Sequence, residues 1–228
     1  MRGGLMTPNL YYKDDWCRLY NNDCMEMMEK FNDKYFDMAF ADPPYNVGVD
    51  YKGHDDKMDE EAYSKWCMEW WLQLVRIAKL ILITPSRGKM KMWAEDLPFP
   101  TDIMIWHKSN ACTHSPFKVF KFITWEPIYI YGSPEARPAH DYVQTAISVQ
   151  PDVGDHPCPK PRKLLNRLID MFTEPNALIF DPFLGSGTTM FSAKSLQRRC
   201  IGTEINESYC EIIKKRLGQE VLPLELGE

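Results

Sequence analysis

The stretch FDMAFADPPY, residues 36–45, decides the fold. Its first six residues form a short apolar run that the following Asp-Pro-Pro stops, which predicts a buried strand ending in a turn. Ligands in open α/β sheets bind beyond the carboxyl ends of the strands, so we expect this turn at a binding site. Proline fixes its own φ and restricts the residue before it. The turn therefore holds the Asp42 carboxylate, the Pro43 carbonyl and the Tyr45 ring in a fixed arrangement.

This arrangement suits the activation of an exocyclic amino group on a nucleobase. Such a nitrogen is a poor nucleophile, because its lone pair is delocalised into the ring. If a carboxylate accepts one N–H and a carbonyl accepts the other, the nitrogen moves towards tetrahedral geometry while an aromatic ring stacks on the base. We therefore predict that the catalytic residues are Asp42, Pro43, Pro44 and Tyr45. The alternative is a structural Asp-Pro turn followed by a core tyrosine.

A second motif, DPFLGSGTT (residues 181–189), lies between a predicted strand and a predicted helix. Its two glycines, separated by one residue, allow a tight turn and a close approach of the backbone to a ligand. A phosphate-binding loop would need a lysine before the Ser/Thr, whereas here Thr188 follows a glycine directly. Glu204 ends the next predicted strand, at about the 20-residue distance where nucleotide-binding halves carry a ribose-binding acid. A helix N-cap at Asn206 is an alternative interpretation of that segment, and the two are compatible.

The rest of the chain alternates short apolar runs with amphipathic stretches, which predicts βαβ units around a parallel sheet. The predicted strands cover residues 16–20, 36–41, 80–84, 103–106, 123–131, 177–180 and 200–203, and the predicted helices cover residues 25–31, 59–78, 161–172, 188–196 and 207–217. Pro127 indicates that its strand lies at a sheet edge or carries a bulge. Residues 136–161, rich in Pro, His and Asp, are expected to be irregular surface chain.

Length and composition bound the remaining possibilities. A chain of 228 residues suffices for one α/β domain, so we expect a single domain over residues 1–228. The seven cysteines are scattered without a C-x-x-C pair, so we predict no metal site. Residues 1–12 lack the apolar core of a signal peptide, and the most apolar stretch, residues 72–84, contains two basic residues and is too short to span a bilayer. These features favour a cytoplasmic protein with reduced thiols and no membrane partner.

The net charge of −5 argues mildly against a nucleic-acid partner, since phosphate contacts need Lys and Arg. The charge is segregated, however. Residues 85–121 hold six basic and three acidic residues, whereas residues 46–61 hold two basic and six acidic residues. We therefore predict that the basic segment faces DNA, although a solvated helix of mixed charge is the alternative. The candidate DNA contacts are Arg87, Lys89, Lys91, Lys108, Lys118 and Lys121.

The two motifs together, DPPY followed by DPFLGSGTT, resemble those of the DNA amino-methyltransferases, in the permuted β order where the catalytic turn precedes the cofactor turn. The resemblance covers about residues 19–217. LYNNDC (residues 19–24) resembles the segment before the family's catalytic strand, and HPCPKP (residues 156–161) resembles its H-P-x-x-K-P signature. WHK (residues 106–108) and WEPI (residues 125–128) match its pair of late strands. Several matches in the family's own order are more specific than any one of them.

The resemblance implies a Rossmann-like, S-adenosylmethionine-dependent methyltransferase fold, with a central, mostly parallel, seven-stranded sheet and helices on both faces. It also implies S-adenosylmethionine as the cofactor and direct in-line methyl transfer to a base flipped out of double-stranded DNA, with no metal and no covalent intermediate. The cofactor would be bound by Asp23, Asp181, Phe183, Gly185, Gly187, Thr188, Glu204, Asn206 and Lys160. In this family an Asp at the start of the catalytic turn usually accompanies adenine, so we expect an adenine-N6 methyltransferase of the restriction–modification kind.

Target recognition is where the chain departs from larger relatives, which carry a sizeable insertion that reads sequence. The room for it here lies within about residues 46–59 and 107–155, which predicts a short or degenerate target, or a homodimer in which each chain supplies part of the contact. Residues 109–122 have side chains of the types that contact base edges and phosphates, but they also fit an ordinary loop.

Other functions on the same fold remain as alternatives. These are methylation of cytosine N4, methylation of RNA, and a non-catalytic DNA-binding or partner subunit. The last of these predicts erosion of the catalytic turn, which is intact in this sequence. Relatives that act on a protein glutamine typically have Asn in place of Asp42, which argues against a protein substrate.

Overall fold

The computed structural model describes residues 8–49, 56–111, 122–133, 140–147 and 159–218. The strands are β1 (Leu10–Lys13), β2 (Cys17–Tyr20), β3 (Phe36–Ala41), β4 (Ala78–Ile83), β5 (Asp102–Lys108), β6 (Trp125–Tyr131), β7 (Tyr142–Thr145), β8 (Leu178–Asp181) and β9 (Arg199–Thr203). The helices are α1 (Cys24–Met28), α2 (Glu60–Ile77), α3 (Met90–Asp96), α4 (Arg162–Phe172), α5 (Thr188–Ser195) and α6 (Glu207–Gly218). A short 3-10 turn, Arg87–Lys89, precedes α3.

One sheet contains all the strands of the described residues, in the order β1-β2-β9-β8-β3-β4-β6-β5-β7. Five consecutive strands of this order, β2-β9-β8-β3-β4, run parallel to one another, and β5 runs parallel to β7. Strand β1 pairs antiparallel with β2, and β6 pairs antiparallel with both β4 and β5. The predicted α/β class with a mostly parallel sheet is confirmed. The sheet has nine strands rather than the predicted seven, because β1 and β7 add one strand at each edge.

The central strand β3 shows why helices cover both faces of the sheet. Side chains of a strand alternate between faces. Met38 and Phe40 belong to a core cluster that includes buried side chains of α4, α5 and α6, whereas Ala39 and Ala41 belong to a second cluster with α1, α2 and α3. Because β3 is buried on both faces, its sequence is a continuous apolar run apart from Asp37.

The position of Pro127 contradicts the prediction of an edge or a bulge. Pro127 lies in β6, between β4 and β5, and the register of β5 with β6 is continuous. The pairing of β4 with β6 covers only residues 129–131, so the proline lies beyond its end. On the other side Pro127 faces Ile105, whose N–H donates to the Asp141 carbonyl near β7. The missing N–H of the proline therefore interrupts no ladder hydrogen bond.

Besides β1, two elements fall where the sequence predicted irregular chain or no element. Strand β7 lies within residues 136–161, so the prediction of a wholly irregular segment was wrong there. Helix α3 follows β4 and packs Trp93 into the second core cluster. Within the described residues, no helix is both long enough and apolar enough to cross a bilayer.

Candidate active site

The turn after β3 fixes the orientation of the Asp42 carboxylate. Asp42 Oδ1 accepts hydrogen bonds from the Tyr45 hydroxyl at 2.7 Å and from the Thr84 hydroxyl at 2.6 Å. Thr84 follows β4, and its N–H donates to the Ala41 carbonyl at 3.0 Å. Because β3 and β4 are parallel neighbours, their carboxyl ends meet, and the second strand supplies the hydroxyl that orients the acid on the first.

The turn is also held from helix α2. The Tyr63 hydroxyl donates to the Pro44 carbonyl at 2.8 Å. Burial raises the pKa of Tyr45 and of Tyr63 above the ordinary tyrosine value, so both hydroxyls stay protonated and can donate. The arrangement leaves the Asp-Pro-Pro-Tyr turn little freedom, as its two prolines predict.

Lys160 lies against the same carboxylate. Its Nζ is 2.6 Å from both Asp42 oxygens and 3.0 Å from the Tyr45 hydroxyl oxygen. Only 10% of the Lys160 side chain and 20% of the Asp42 side chain are exposed. The ammonium also lies over two rings, 5.2 Å from the centroid of Tyr45 and 5.9 Å from that of Trp106. The result is an ion pair enclosed by aromatic rings.

The glycine turn follows β8, the strand beside β3. Gly185 has φ 52° and Gly187 has φ 78°, a left-handed conformation that favours glycine. A Cβ at Gly187 would lie 2.7 Å from a side-chain carbon of Ile213. Helix α5 begins directly afterwards, and the Thr188 hydroxyl lies 3.1 Å from that of Ser186. The two motifs, far apart in sequence, therefore meet at the carboxyl ends of two adjacent parallel strands.

Two buried acids shape the glycine turn. Asp181 accepts the Phe183 N–H at 2.8 Å, and Glu204 accepts the N–H groups of Gly185 and Asn206, each at 2.8 Å. Burial raises the pKa of both carboxyls to about 7, against the lowering effect of these hydrogen bonds. Glu204 therefore ties the glycine turn to the end of β9.

A single cleft of about 1290 Å³, its open mouth included, joins the two turns. Asp42 and Tyr45 line one part of it, and residues 181–186 line another. Among the described residues that line it, four are acids and only Lys160 is a lysine or arginine. The acids are Asp23, Asp42, Asp181 and Glu204. A cleft of this charge favours a ligand that carries positive charge.

The predicted cofactor residues divide into those in the cleft and those outside it. Phe183 lines it half-buried, with its ring centroid 5.6 Å from that of Trp66 and 5.4 Å from that of Trp70. Asp23 lines it at the start of α1, where its carboxylate also accepts the Met25 N–H. Asp181, Gly185, Thr188, Glu204 and Lys160 line it as well.

Gly187 and Asn206 are the predicted cofactor residues that do not line the cleft. Gly187 packs against Ile213 of α6 instead, so its role is to let the helix approach the turn. The Asn206 side-chain oxygen accepts the N–H and the hydroxyl of Ser208 at 2.9 and 2.7 Å, which makes it a cap of α6. The cofactor-binding role of the Gly187 backbone and of Asn206 stays a prediction.

The predicted DNA contacts lie in different surroundings. Lys89 pairs with Glu60 at 2.6 Å with 11% of its side chain exposed, and Lys108 pairs with Glu126 with 12% exposed. Both lysines therefore pair with carboxylates of the protein, and their contact with DNA phosphates stays a prediction. Arg87 lies over the ring of Trp125 at 4.7 Å, and Lys91 is 83% exposed in an i,i+4 pair. Lys118 and Lys121 lie outside the described residues.

The described cysteines do not offer a nucleophile. Cys17, Cys24, Cys67, Cys200 and Cys210 are buried, and burial raises the pKa of each thiol. No group of three His, Cys, Asp or Glu side chains able to hold a metal occurs among the described residues.

Sequence reasoning missed three residues that shape the site. Thr84 orients Asp42, Tyr63 holds the Pro44 carbonyl, and Trp66 lines the cleft beside Phe183. Thr84 could have been found, because it ends the strand predicted over residues 80–84. Tyr63 and Trp66 lie on one face of a helix whose partner the sequence does not specify.

The comparisons with known proteins identify relatives of this chain. A DNA methylase family model, for N6 and N4 methyltransferases, matches residues 36–153 and 144–215. The type II methyltransferase M2.MboI of Moraxella bovis is 30% identical, with 98% of this chain and 95% of that protein covered. M2.DpnII of Streptococcus pneumoniae is 29% identical, with 96% of each chain covered.

Solved structures show the same fold. The cytosine-N4-specific PvuII DNA methyltransferase superposes with a TM-score of 0.75 at 17% identity, covering 94% of this chain and 91% of that one. A complex of M1.HpyAVI with S-adenosylmethionine gives 0.62 at 21% identity, covering 89% and 99%. Together with the family model, which spans far more than half of the sequence, these findings show that the chain belongs to the N6/N4 DNA methylase family.

Proposed function

We propose that this DNA methylase transfers a methyl group from S-adenosylmethionine to N6 of an adenine flipped out of double-stranded DNA. The observation that carries the proposal is the position of the Asp42 carboxylate, in one cleft with the glycine turn that follows the adjacent strand. Amino-group methylation as such follows from family membership. The choice of adenine, the individual residue roles and the DNA contacts are the proposed part.

The cofactor side of the cleft fits S-adenosylmethionine. The cleft extends from the glycine turn to the Asp-Pro-Pro-Tyr turn, so a ligand held by the first lies beside the second. Four acids suit a ligand that carries a sulfonium and an ammonium group. Each carboxylate oxygen of Glu204 accepts a hydrogen bond from one backbone N–H group. Each oxygen also retains a lone pair that can accept a ribose hydroxyl. Phe183 offers an apolar ring face for the adenine moiety.

The base side of the cleft fits the exocyclic amino group. Tyr45 and Thr84 both donate to Oδ1 of Asp42, which turns Oδ2 towards the incoming base. One amino N–H donates to Oδ2 and the other to the Pro43 carbonyl, so the nitrogen lone pair is aimed at the methyl group. When bound, the cofactor supplies an electrophilic methyl group on its sulfonium. The carboxylate then accepts the proton that the methylated nitrogen loses.

Cytosine N4 is the second candidate target. The structure of the cytosine-N4-specific PvuII enzyme is similar to this chain at a TM-score of 0.75, although at 17% identity the similarity concerns the fold. Purified protein incubated with labelled S-adenosylmethionine and unmethylated genomic DNA, followed by nucleoside mass spectrometry, decides between the two. N6-methyladenine supports the proposal. N4-methylcytosine retains the mechanism and overturns the base, and label on RNA alone overturns the substrate.

For DNA binding we propose Arg87 and Lys91, together with target-recognition segments within residues 46–59 and 107–155 of a single methyltransferase domain. Much of the two segments, and of the HPCPKP motif, lies outside the described residues. Since Lys91 is proposed to bind a phosphate, Lys91→Ala should reduce the magnitude of the slope of the logarithm of the DNA-binding constant against the logarithm of the salt concentration by about one, and it should leave sequence preference unchanged.

The homodimer stays a prediction, and sedimentation velocity of the purified chain tests it.

A further inference from the structure

A buried carboxylate holds the chain that follows the catalytic turn. Asp56 is only 4% exposed, and its side chain accepts hydrogen bonds from backbone N–H groups of the segment after Tyr45. Oδ1 accepts the Asn46 N–H at 2.6 Å, and Oδ2 accepts those of Val47 at 3.0 Å and Val49 at 3.2 Å. The N–H between these two, at residue 48, donates to the Asp56 carbonyl at 3.0 Å. Successive N–H groups that converge in this way bind an anion, and here the anion is a side chain of the same protein.

The backbone conformation of this segment matches the position of the carboxylate. Asn46 has φ 55° and Gly48 has φ 78°, both in the left-handed region that Asn and Gly tolerate best. The Asn46 side chain donates to the Met58 carbonyl at 2.8 Å and accepts the Met58 N–H at 2.7 Å. Met58 precedes Asp59, the N-cap of α2. The segment after the catalytic turn is therefore tied to the start of α2 by hydrogen bonds in both directions.

The same hydrogen bonds fix the backbone on both sides of Tyr45, whose ring is proposed to stack on the target base. The Tyr63 hydroxyl holds the Pro44 carbonyl, which belongs to the peptide group before Tyr45. The Asn46 N–H belongs to the peptide group after Tyr45, and at 2.6 Å it makes the shortest of the three hydrogen bonds to the Asp56 carboxylate. Rotation of either peptide group would move the ring relative to the rest of the cleft.

We propose that Asp56 is a positioning residue for methyl transfer, which sets the orientation of the Tyr45 ring through the backbone of residues 46–49. Asp56 is not among the described residues that line the cleft, whereas Val47 and Val49 are. It therefore acts on the base through the chain that it holds, not by contact. The inference rests on the proposed function, since it needs a base stacked on Tyr45.

A carboxylate suits this role better than its amide. Asparagine at position 56 has one acceptor oxygen and an NH₂ donor in place of the second oxygen. That donor would face at least one of the N–H groups that the carboxylate accepts. Because a buried N–H without an acceptor is unfavourable, the segment should move away from it. Asp56→Asn therefore disturbs residues 46–49 with almost no change in side-chain size.

The test combines amide exchange with methyl transfer. Hydrogen–deuterium exchange of the empty protein, read by mass spectrometry, should show that Asp56→Asn makes the amides of residues 46–49 exchange faster. Single-turnover transfer of labelled methyl from saturating S-adenosylmethionine to unmethylated genomic DNA measures the chemical step. Its rate constant should fall by roughly tenfold to a hundredfold, the loss expected from a misplacement of about 1 Å. The dissociation constant of the cofactor, from calorimetry, should change less than the rate constant.

Asp14→Asn is the matched control, because Asp14 also holds a stretch of backbone through its carboxylate. It accepts the N–H groups of Trp16 at 2.8 Å and Cys17 at 2.7 Å, and none of these three residues is among those that line the cleft. This variant should lose stability in thermal melting but transfer methyl at the wild-type rate, when all rates are measured below the melting temperature of every variant.

Asn46→Gly is a milder second variant, which replaces Asp56→Asn if that chain fails to fold. Glycine adopts the same φ and keeps the backbone N–H that donates to Asp56, but it loses both hydrogen bonds to Met58. We expect faster exchange of residues 46–49 and a smaller fall in the rate constant, again with less change in cofactor binding.

Two results overturn the inference. Exchange of residues 46–49 at the wild-type rate in Asp56→Asn would show that the carboxylate does not hold the segment. Faster exchange with a rate constant that falls no further than in Asp14→Asn would show that the segment does not position the base. If the wild type transfers no methyl to DNA, the proposed function fails and this inference fails with it, whereas normal wild-type transfer with either of the first two results overturns this inference alone.

Discussion

Replacement of Asp42 by asparagine should stop methyl transfer almost completely, although the two side chains have nearly the same shape. In the native turn Oδ1 accepts from Tyr45 at 2.7 Å and from Thr84 at 2.6 Å. In Asp42→Asn the amide oxygen keeps these two donors, which places the amide NH₂ at the position of Oδ2. A donor then faces the amino group of the base, where the native enzyme has a charged acceptor.

The magnitude follows from the interactions that the substitution removes. A hydrogen bond to a charged group contributes about 1.5–3 kcal/mol, and a buried donor left without an acceptor costs about 1–3 kcal/mol more. Since both effects apply where the base is activated, we expect the barrier to rise by about 3–5 kcal/mol. That is a fall of roughly a hundredfold to a few thousandfold in the rate constant of the chemical step.

Single-turnover transfer of labelled methyl to unmethylated DNA measures this step directly. Asp33→Asn is the matched control, because its side chain is 77% exposed and pairs with Arg76 at the surface. It should transfer methyl at the native rate. If Asp42→Asn retained activity within tenfold of the native enzyme while binding cofactor normally, the carboxylate would not be the acceptor of the amino group, and the proposed base-site geometry would be refuted.

Three further predictions concern the cofactor side. Glu204→Ala should weaken cofactor binding more than DNA binding, because it removes the ribose acceptor and the anchor of the Gly185 N–H; calorimetry and a DNA-binding titration compare the two losses, and equal losses count against the role. The pKa of Glu204 is about 7 in the fold against an ordinary value of 4.5, so its contribution to stability is fully present below pH 4.5 and is lost as pH rises through about 7. Denaturation of the empty protein at several pH values should therefore show the stability difference between wild type and Glu204→Gln falling over that window and constant above it, and a flat difference would contradict the burial effect. Gly187→Ala combines a φ of 78° with a Cβ only 2.7 Å from Ile213, so we expect a loss of about 2–4 kcal/mol in the free energy of unfolding, measured by chemical denaturation, with Gly218→Ala at the exposed end of α6 as the control.

The parts of the fold that the sequence predicted are those where one local signal dominates. The buried strand β3 was predicted with its observed bounds, because a continuous apolar run ends at a proline turn. Both motif turns fall at the carboxyl ends of neighbouring strands, as a doubly wound sheet requires. The edge strands β1 and β7 were missed, because each is four residues long and partly exposed, so neither shows a distinct apolar pattern. Their pairing depends on neighbouring strands rather than on their own composition.

Pairings between distant charges were the least predictable part of the site. Lys89 and Lys108 look like phosphate-binding residues in a basic segment, but each pairs with an acid from another element. The sequence shows how many charged residues a segment contains, whereas only the fold shows which of them are paired with each other. The same holds for Lys160, which the family resemblance placed at the cofactor and whose ammonium the structure places 2.6 Å from an oxygen of Asp42.

The sheet order explains why two motifs that lie far apart in the chain form one site. The Asp-Pro-Pro-Tyr turn follows β3 and the glycine turn follows β8, so the two halves of the cleft meet where β3 pairs with β8. The pairing of β3 with β8 depends on their being neighbours in the sheet, and it is the same whichever half comes first in the chain. The chain passes between the two halves twice, first from β2, which lies beside β9, to β3, and again from β7 to α4 and β8. Lys160 lies at the end of the second passage, immediately before α4, and its ammonium contacts Asp42 at the end of β3, so a contact between the halves arises on a connection rather than within either half.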